Sequence, residues 1–221
     1  MLKRKENNKA KSNKTKTSKG QLIIVGSLLI ALGVGIVGGK LVYNYILNKQ
    51  EDVKIEEFFE QQEEIENTDE SEIEEVKDTE QKTVSCKPQN YIAVIKIPKI
   101  GLEKGLYSKE SSSNNVNKNI QILKEADMPD VESGNFILAS HSGNGRISYF
   151  RNLYKLNADD EISIFYNGFE YKYKVVNIYD VEKTGTANIV RNAEKNTLTL
   201  ITCRHNTNKQ IVVICELIEK I

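Results

Sequence analysis

The pattern of apolar and polar positions changes character twice along the chain. From Gly20 to Gly39, GQLIIVGSLLIALGVGIVGG, no residue is charged. A helix of that length, at about 1.5 Å per residue, spans roughly 30 Å, the thickness of bilayer hydrocarbon. The segment continues through GGKLVYNYIL, which puts Tyr43 and Tyr45 where an interfacial aromatic belt belongs. The pattern predicts a single transmembrane helix over residues 21–47. A cleaved signal peptide is the rival reading. Its apolar region would be shorter, about 7–15 residues, and followed by a small-x-small site. Residues 48–85 then turn acidic, with few apolar positions. Val53, Ile55, Phe58 and Phe59 support a short helical continuation, and the rest reads as a self-repelling linker.

From Cys86 the pattern shortens to strand-length apolar runs. YIAVIKIPKIGL ends its run at Pro98, and GNFILASH is bounded by Gly134. DEISIFYNGFEYKYKVVNIYDV alternates with period two on both sides of Asn167-Gly168, which is a strong signal for a hairpin with a type I′ turn. TLTLITC and QIVVICELI complete the set. Helical periodicity is weak apart from a short helix expected near SYFRNLYKL. Residues 86–221 therefore predict one mainly β domain, mostly antiparallel, a barrel or a sandwich, with enough chain to bury a core.

Charge sets the orientation. The formal net charge of +0 hides eight Lys/Arg in residues 1–20 and about fifteen acids in residues 51–82. A basic tail before the apolar helix predicts an N-terminus inside the cell and the β domain outside it. A nucleic-acid partner is not expected, because the basic cluster lies on a tail and not on the folded part. Gly35 and Gly39 form a G-x-x-x-G, a pattern that can pack helices but is also ordinary membrane-helix composition. The three cysteines, Cys86, Cys203 and Cys215, do not form a disulfide framework, although Cys86 and Cys215 are free to pair. No pair has metal-ligand spacing, so neither a metal nor a cofactor is expected.

Cys203 stands apart. It closes an apolar strand run and is followed at once by a polar turn. A free thiol near pKa 8.5 is mostly protonated at neutral pH and needs a cationic neighbour to become a nucleophile. The chain offers two histidines. His205 is two residues further on, in the turn, where an imidazole is seldom held rigidly. His141 follows GNFILAS, at the end of a separate strand run where a scaffold can fix it.

Thr199-Leu200-Ile201-Thr202-Cys203 resembles the T-L-x-T-C motif of sortases, the membrane-anchored cysteine transpeptidases of Gram-positive bacteria. IKIPKIGL resembles the family's early strand, and GNFILASH the strand ending at its histidine. The resemblance covers most of residues 88–221. It implies a closed antiparallel sortase-type β-barrel of about eight strands with short helices. It also implies four parts: a basic cytoplasmic tail over 1–20, the anchor over 21–47, the linker over 48–85 and a catalytic domain over 86–221. Cys203 would attack the threonine carbonyl of an LPxTG-like sorting signal, with His141 moving the proton, and form a thioester. A cell-wall precursor amine or a pilin lysine would resolve it.

One position departs from the family pattern. Sortases carry an arginine at the start of the strand after the cysteine loop. Here Gln210 stands there, or Lys209 in a neighbouring register. Glutamine can donate a hydrogen bond to an oxyanion, and lysine supplies a point charge without arginine's fork. Arg204, Arg146 and Arg151 are the other cations near the motif. Substrate contacts are expected from Thr202 and from the segment before the nucleophile strand, where Ile189 and Val190 either wall a groove or belong to the core. The missing lid-like segment argues against a pilin-polymerising subclass, and the lack of a long helical insertion argues against a class B type. A class A or D type remains. Two rival functions use the same residues differently: a membrane-anchored cysteine endopeptidase with water as acceptor, and a non-catalytic β domain that binds envelope components. An L,D-transpeptidase is disfavoured, because its motif places histidine and glycine directly before the cysteine.

Overall fold

The computed structural model describes residues 19–66 and 90–221. Residues 1–18 of the basic tail, Cys86 and half of the acidic linker lie outside them. Eight strands form one sheet in the order β2-β1-β5-β6-β8-β7-β4-β3. They are β1 (Ala93–Ile97), β2 (Leu102–Leu106), β3 (Gln121–Ile122), β4 (Asn135–Ala139), β5 (Glu161–Tyr166), β6 (Phe169–Glu182), β7 (Thr197–Cys203) and β8 (Lys209–Lys220). The sheet curls into a nearly closed barrel that leaves the short strands β2 and β3 at its edges.

Period-two alternation explains most of the pairing. β5 and β6 pair antiparallel, with Tyr166 opposite Phe169. The turn between them is Asn167-Gly168, at φ of 50° and 80°. Both angles are positive, as a type I′ turn requires, and asparagine and glycine tolerate that conformation best. The inward residues Leu198, Leu200, Val213, Cys215, Val175, Tyr173, Ile162, Ile164, Ile95 and Ile97 fill the core. Burial there pushes the Cys215 thiol well above its usual range.

Two features depart from the alternation pattern. First, β4 and β7 pair parallel within the otherwise antiparallel barrel, from Asn135 opposite Thr197 to Ala139 opposite Ile201. Asn135 Oδ1 accepts hydrogen bonds from both Thr197 Oγ1 (3.1 Å) and Thr199 Oγ1 (2.8 Å), so two threonine hydroxyls lock the pair from the side. Second, the helix expected near SYFRNLYKL is only a 3₁₀ turn, Leu153–Lys155. Phe150, Leu153 and Leu156 are all buried. Their spacing of three matches a 3.0-residue turn better than a 3.6-residue one.

The helix α1 (Lys19–Glu66) contains one stretch long and apolar enough to cross a membrane. Its leucines, isoleucines and valines from Ile23 to Ile46 are largely exposed, as lipid-facing residues must be. The chain divides into two compact units, residues 1–49 and 50–221. Within the second unit, the helical residues from Gln50 onward pack on the barrel wall. Ile55 and Phe58 are buried with Tyr91 and Val94. Phe59 meets Phe165 edge-on, with ring centroids 5.1 Å apart. Gln62 Oε1 accepts from the Gly168 backbone N–H at 3.0 Å. The continuation expected from Val53, Ile55, Phe58 and Phe59 is therefore a docked segment of the β domain.

Lys104 holds that dock electrostatically. It lies on β2, is 3% exposed, and pairs with Glu51 of α1. Its ammonium also lies 4.7 Å from the centroid of the Tyr149 ring. Burial lowers the Lys104 pKa, and Glu51 opposes that shift. Burial, with Glu51 nearby, pushes the Tyr149 hydroxyl up to about 12.

Candidate active site

The parallel pairing of β4 and β7 decides where the two candidate residues meet. Ala139 lies opposite Ile201, and the Ser140 N–H donates to Ile201 O at 3.3 Å. Two residues on from that pair, the chain reaches His141 on one side and Cys203 on the other. Neighbouring strands run about 4.8 Å apart, so the two strand ends sit side by side. Strand alternation puts Ile201 and Cys203 on one face of β7, with Ala139 opposite Ile201. The Thr202 hydroxyl donates to Ser140 O at 2.7 Å and ties the two ends together.

Each side chain has its own support. The backbone oxygen of His141 accepts from Phe150 N at 3.1 Å, and its Nε2 lies 3.1 Å from Asn117 Oδ1. That oxygen can only accept, so Nε2 carries the proton and Nδ1 is the nitrogen left to exchange one. Asn117 is itself held by a hydrogen bond from its backbone N–H to Asn115 Oδ1 at 2.8 Å. Cys203 is half-buried, with its thiol at the strand end.

Gln210 is the cross-strand partner of Cys203, so the two side chains leave the sheet on the same face. Lys209 is exposed and pairs with Glu182 of β6 instead. Thr202 is buried, and its hydroxyl is engaged with Ser140. Ile189 is half-buried against the core, and Val190 is exposed. Their segment, residues 183–196, has no regular structure. It is pinned at Tyr179, whose hydroxyl accepts from Val190 N (2.8 Å) and donates to Asn188 O (2.9 Å).

A cleft of about 470 Å³ opens at Cys203, which lines it together with Ser142 and Asn144, just beyond His141. Thr202 and Ile211, which face inward, line it together with Phe150, Arg151, Tyr154, Arg204 and His205. His205 is exposed in the turn between β7 and β8. Arg204 Nε donates to Asp180 Oδ1 of β6 at 2.8 Å. Among the described residues no group of His, Cys, Asp and Glu is arranged to hold a metal ion.

Sequence reasoning missed Asn117, Asp180 and the cleft. Asn117 sits in an irregular, asparagine-rich stretch whose pattern carries no sign of its partner. Asp180 lies within the alternating strand β6, where an acid reads as an ordinary solvent-facing residue.

Comparison with known proteins was made at three levels. The family model described as Sortase domain matches residues 95–218. No curated protein sequence matches the chain. Among solved structures, the sortase D5 transpeptidase of Clostridium perfringens is 28% identical, with a TM-score of 0.55, over 76% of this chain and 98% of that one. A lid mutant of sortase A from Corynebacterium diphtheriae is 23% identical, with a TM-score of 0.54, over 61% of this chain and 73% of that one. Sortase C of Streptococcus pneumoniae, whose structure addresses pilin substrate specificity, is 22% identical, with a TM-score of 0.53, over 60% and 71%. The last two likenesses concern the fold.

Proposed function

The chain belongs to the sortase family, and from that membership we propose that it is a membrane-anchored transpeptidase in which Cys203 is the nucleophile and His141 the proton carrier. The proposed anchor is the apolar stretch of α1, with the basic tail inside the cell and the barrel outside it. The acyl donor is a secreted protein ending in an LPxTG-like signal, and the acceptor is an amine on a cell-wall precursor or a pilin. The domain limits that go with this reading are a tail over 1–20, an anchor over 21–47, a linker over 48–85 and a catalytic domain over 86–221.

One observation carries the reading. A parallel strand pair brings the ends bearing His141 and Cys203 together across 62 residues of chain, a separation repeated in the hydrogen bond from Thr202 Oγ1 to Ser140 O. A buried structural thiol would need no imidazole beside it. In the proposed reaction Cys203 Sγ attacks the threonine carbonyl carbon, and the C–N bond to the following glycine breaks. The departing amine takes the proton from His141, and a thioester remains. Splitting one amide exchange into two acyl transfers lowers each barrier. Gln210, opposite Cys203, is the side-chain amide best disposed to donate to the oxyanion, in place of the family's arginine. Lys209 is the second candidate for that role. Ile201 and Ala139 form the floor beside the thiol, with Ile189 and Val190 supplied by the neighbouring wall.

The test incubates the full chain in detergent micelles with a library of LPxTG-like peptides, with and without hydroxylamine or a primary amine, and reads the products by mass. Amine adducts lost in Cys203→Ala and in His141→Ala are expected. Water-only products in the presence of amine would make the protein an endopeptidase instead. Equal turnover by Cys203→Ala would remove the assignment.

A further inference from the structure

The loop that follows His141 is gripped from outside the site. It runs from His141 to Phe150, and the Phe150 N–H donates to His141 O at 3.1 Å across its neck. Inside the loop Ser148 N donates to Gly145 O at 3.1 Å. Arg151 braces the same two residues, with Nε on Ser148 O (3.1 Å) and Nη2 on Gly145 O (2.8 Å). A loop braced in this way moves as a unit, so a grip on one of its residues is also a grip on His141.

Lys104 of β2 supplies that grip. Its ammonium lies 4.7 Å from the centroid of the Tyr149 ring, and Tyr149 directly precedes Phe150, which is fully buried. The attraction of a cation for an aromatic face is strongest out of water, and Lys104 is 3% exposed. Glu51 of the docked part of α1 is the carboxylate that lets the ammonium stay charged there. Burial lowers the Lys104 pKa, Glu51 opposes the lowering, and Arg146 and Lys54 add to it. Arg146 belongs to the His141 loop. Glu51 therefore balances a cation on β2 and a second one on the loop. Without it Lys104 and Arg146 repel each other, or Lys104 gives up its proton, and in both cases the Tyr149 ring loses its seat.

Stability alone is a poor account of this pair. A buried ion pair contributes little beyond what two well-packed apolar side chains would. Ile55, Phe58, Tyr91 and Val94 already give the dock such packing. What the pair adds is a charge in a fixed place, between the docked helix and the loop of His141.

We propose that the docked residues 50–62 of α1 position His141, with Lys104 and Tyr149 as the positioning residues that carry the effect. The proposal rests on the transpeptidase reading above and adds to it a control element outside the acyl groove. Neither residue touches substrate. With Glu51 in place the imidazole is held where the departing amine needs its proton. With Glu51 lost the peptide still binds, and misplacement of the imidazole slows proton transfer.

The experiment measures kcat and KM of the full chain in detergent micelles, with an LPxTG-type peptide as donor and hydroxylamine as acceptor. Each kcat is divided by the folded fraction, read from the tyrosine signal at the assay temperature, so lost stability alone moves nothing. Glu51→Gln and Lys104→Met should lower kcat about tenfold and leave KM within about twofold. Phe58→Ala, which loosens the dock about two turns from Glu51, should act in the same direction. Tyr149→Leu should match Lys104→Met, whereas Tyr149→Phe, which keeps the ring, should keep the parent kcat. An unchanged kcat in Glu51→Gln and Lys104→Met overturns the proposal, and so does a change confined to KM. Equal losses in Tyr149→Phe and Tyr149→Leu overturn it too, because the ring would then not be the link. If Lys104→Met does not fold, the isosteric Glu51→Gln decides alone. All these outcomes leave the transpeptidase reading intact, provided the parent forms the hydroxamate. A parent that forms none removes that reading and this proposal with it.

Discussion

Replacing Glu51 by glutamine tests whether the segment of α1 on the barrel is held by its one buried ion pair. Lys104 is 3% exposed and its ammonium contacts Glu51. Removing one partner of a fully buried pair costs about 3–5 kcal/mol. The Glu51 side chain keeps 30% of its exposure, and glutamine still offers an oxygen to the ammonium, so about 2 kcal/mol is the reasonable figure. For a folded unit of this size each kcal/mol moves the melting temperature by about 2–4 °C, so a fall of about 4–8 °C is expected. The pH dependence sharpens the test. The folded-state pKa of Lys104 is lowered, chiefly by burial. Between that value and the unfolded value near 10.4, the unfolded chain holds more protons than the folded one, so this group's contribution to stability rises with pH. Glu51 opposes the lowering, so Glu51→Gln deepens it and carries the window to lower pH. The gap between the variant and the parent should therefore be largest near neutrality and close as the pH approaches 10. The assay is thermal unfolding of the full chain in detergent, followed by tyrosine signals, which the absence of tryptophan leaves uncluttered. A shift under about 1 °C, or a gap independent of pH, would refute the reasoning.

Gly105→Ala should be strongly destabilising, by about 1–3 kcal/mol or more, because an added Cβ would lie 2.1 Å from the Tyr91 ring, which packs flat on that glycine; chemical denaturation reads it. Thr202→Val removes the hydroxyl bonded to Ser140 O and leaves a buried carbonyl unpaired, for about 1–3 kcal/mol. Turnover should fall with it as the two strand ends loosen, and a variant as stable and active as the parent would contradict the clamp. Asn117→Ala should lower turnover about tenfold by freeing the imidazole to rotate, with melting unchanged because the residue is exposed. Gln210→Ala should lower the acylation rate by up to about a hundredfold if its amide stabilises the oxyanion, and Gln210→Arg should restore or exceed the parent rate in single-turnover measurements.

Much of this architecture could be read directly from the residues. The uncharged run from Gly20 to Gly39 dictated a long apolar helix, because a segment of that length in hydrocarbon must pair its own backbone N–H and C=O groups. Asn167-Gly168 dictated a hairpin, because both residues accept positive φ. The T-L-I-T-C and GNFILASH segments pointed to Cys203 and His141 as strand-end residues. The parallel marriage of β4 and β7 was hidden, because alternation records which face a residue takes but not which strand lies beside it. The docked part of α1 was hidden for a different reason. Glu51 and Lys104 look like surface charges until each is seen to neutralise the other, and the short helix expected from Val53, Ile55, Phe58 and Phe59 carries no sign of the barrel wall it meets. Gln210 was assigned from the motif, and the register places it across from Cys203. Whether Ile189 or Val190 lines a groove was not legible, since a loop without periodicity gives no inside or outside.

The order of the strands also bears on timing. β8 lies between β6 and β7, and β7 alone joins β4 to the rest of the sheet. Until residues 197–220 have emerged, the strand leading to His141 has only the two-residue β3 beside it in the sheet, and the sulfur that would react is not yet part of any surface. Contacts that span so much chain form late and slowly. A half-made chain would thus be chemically silent, and any reactivity would arrive in a single step with the closing of the last hairpin.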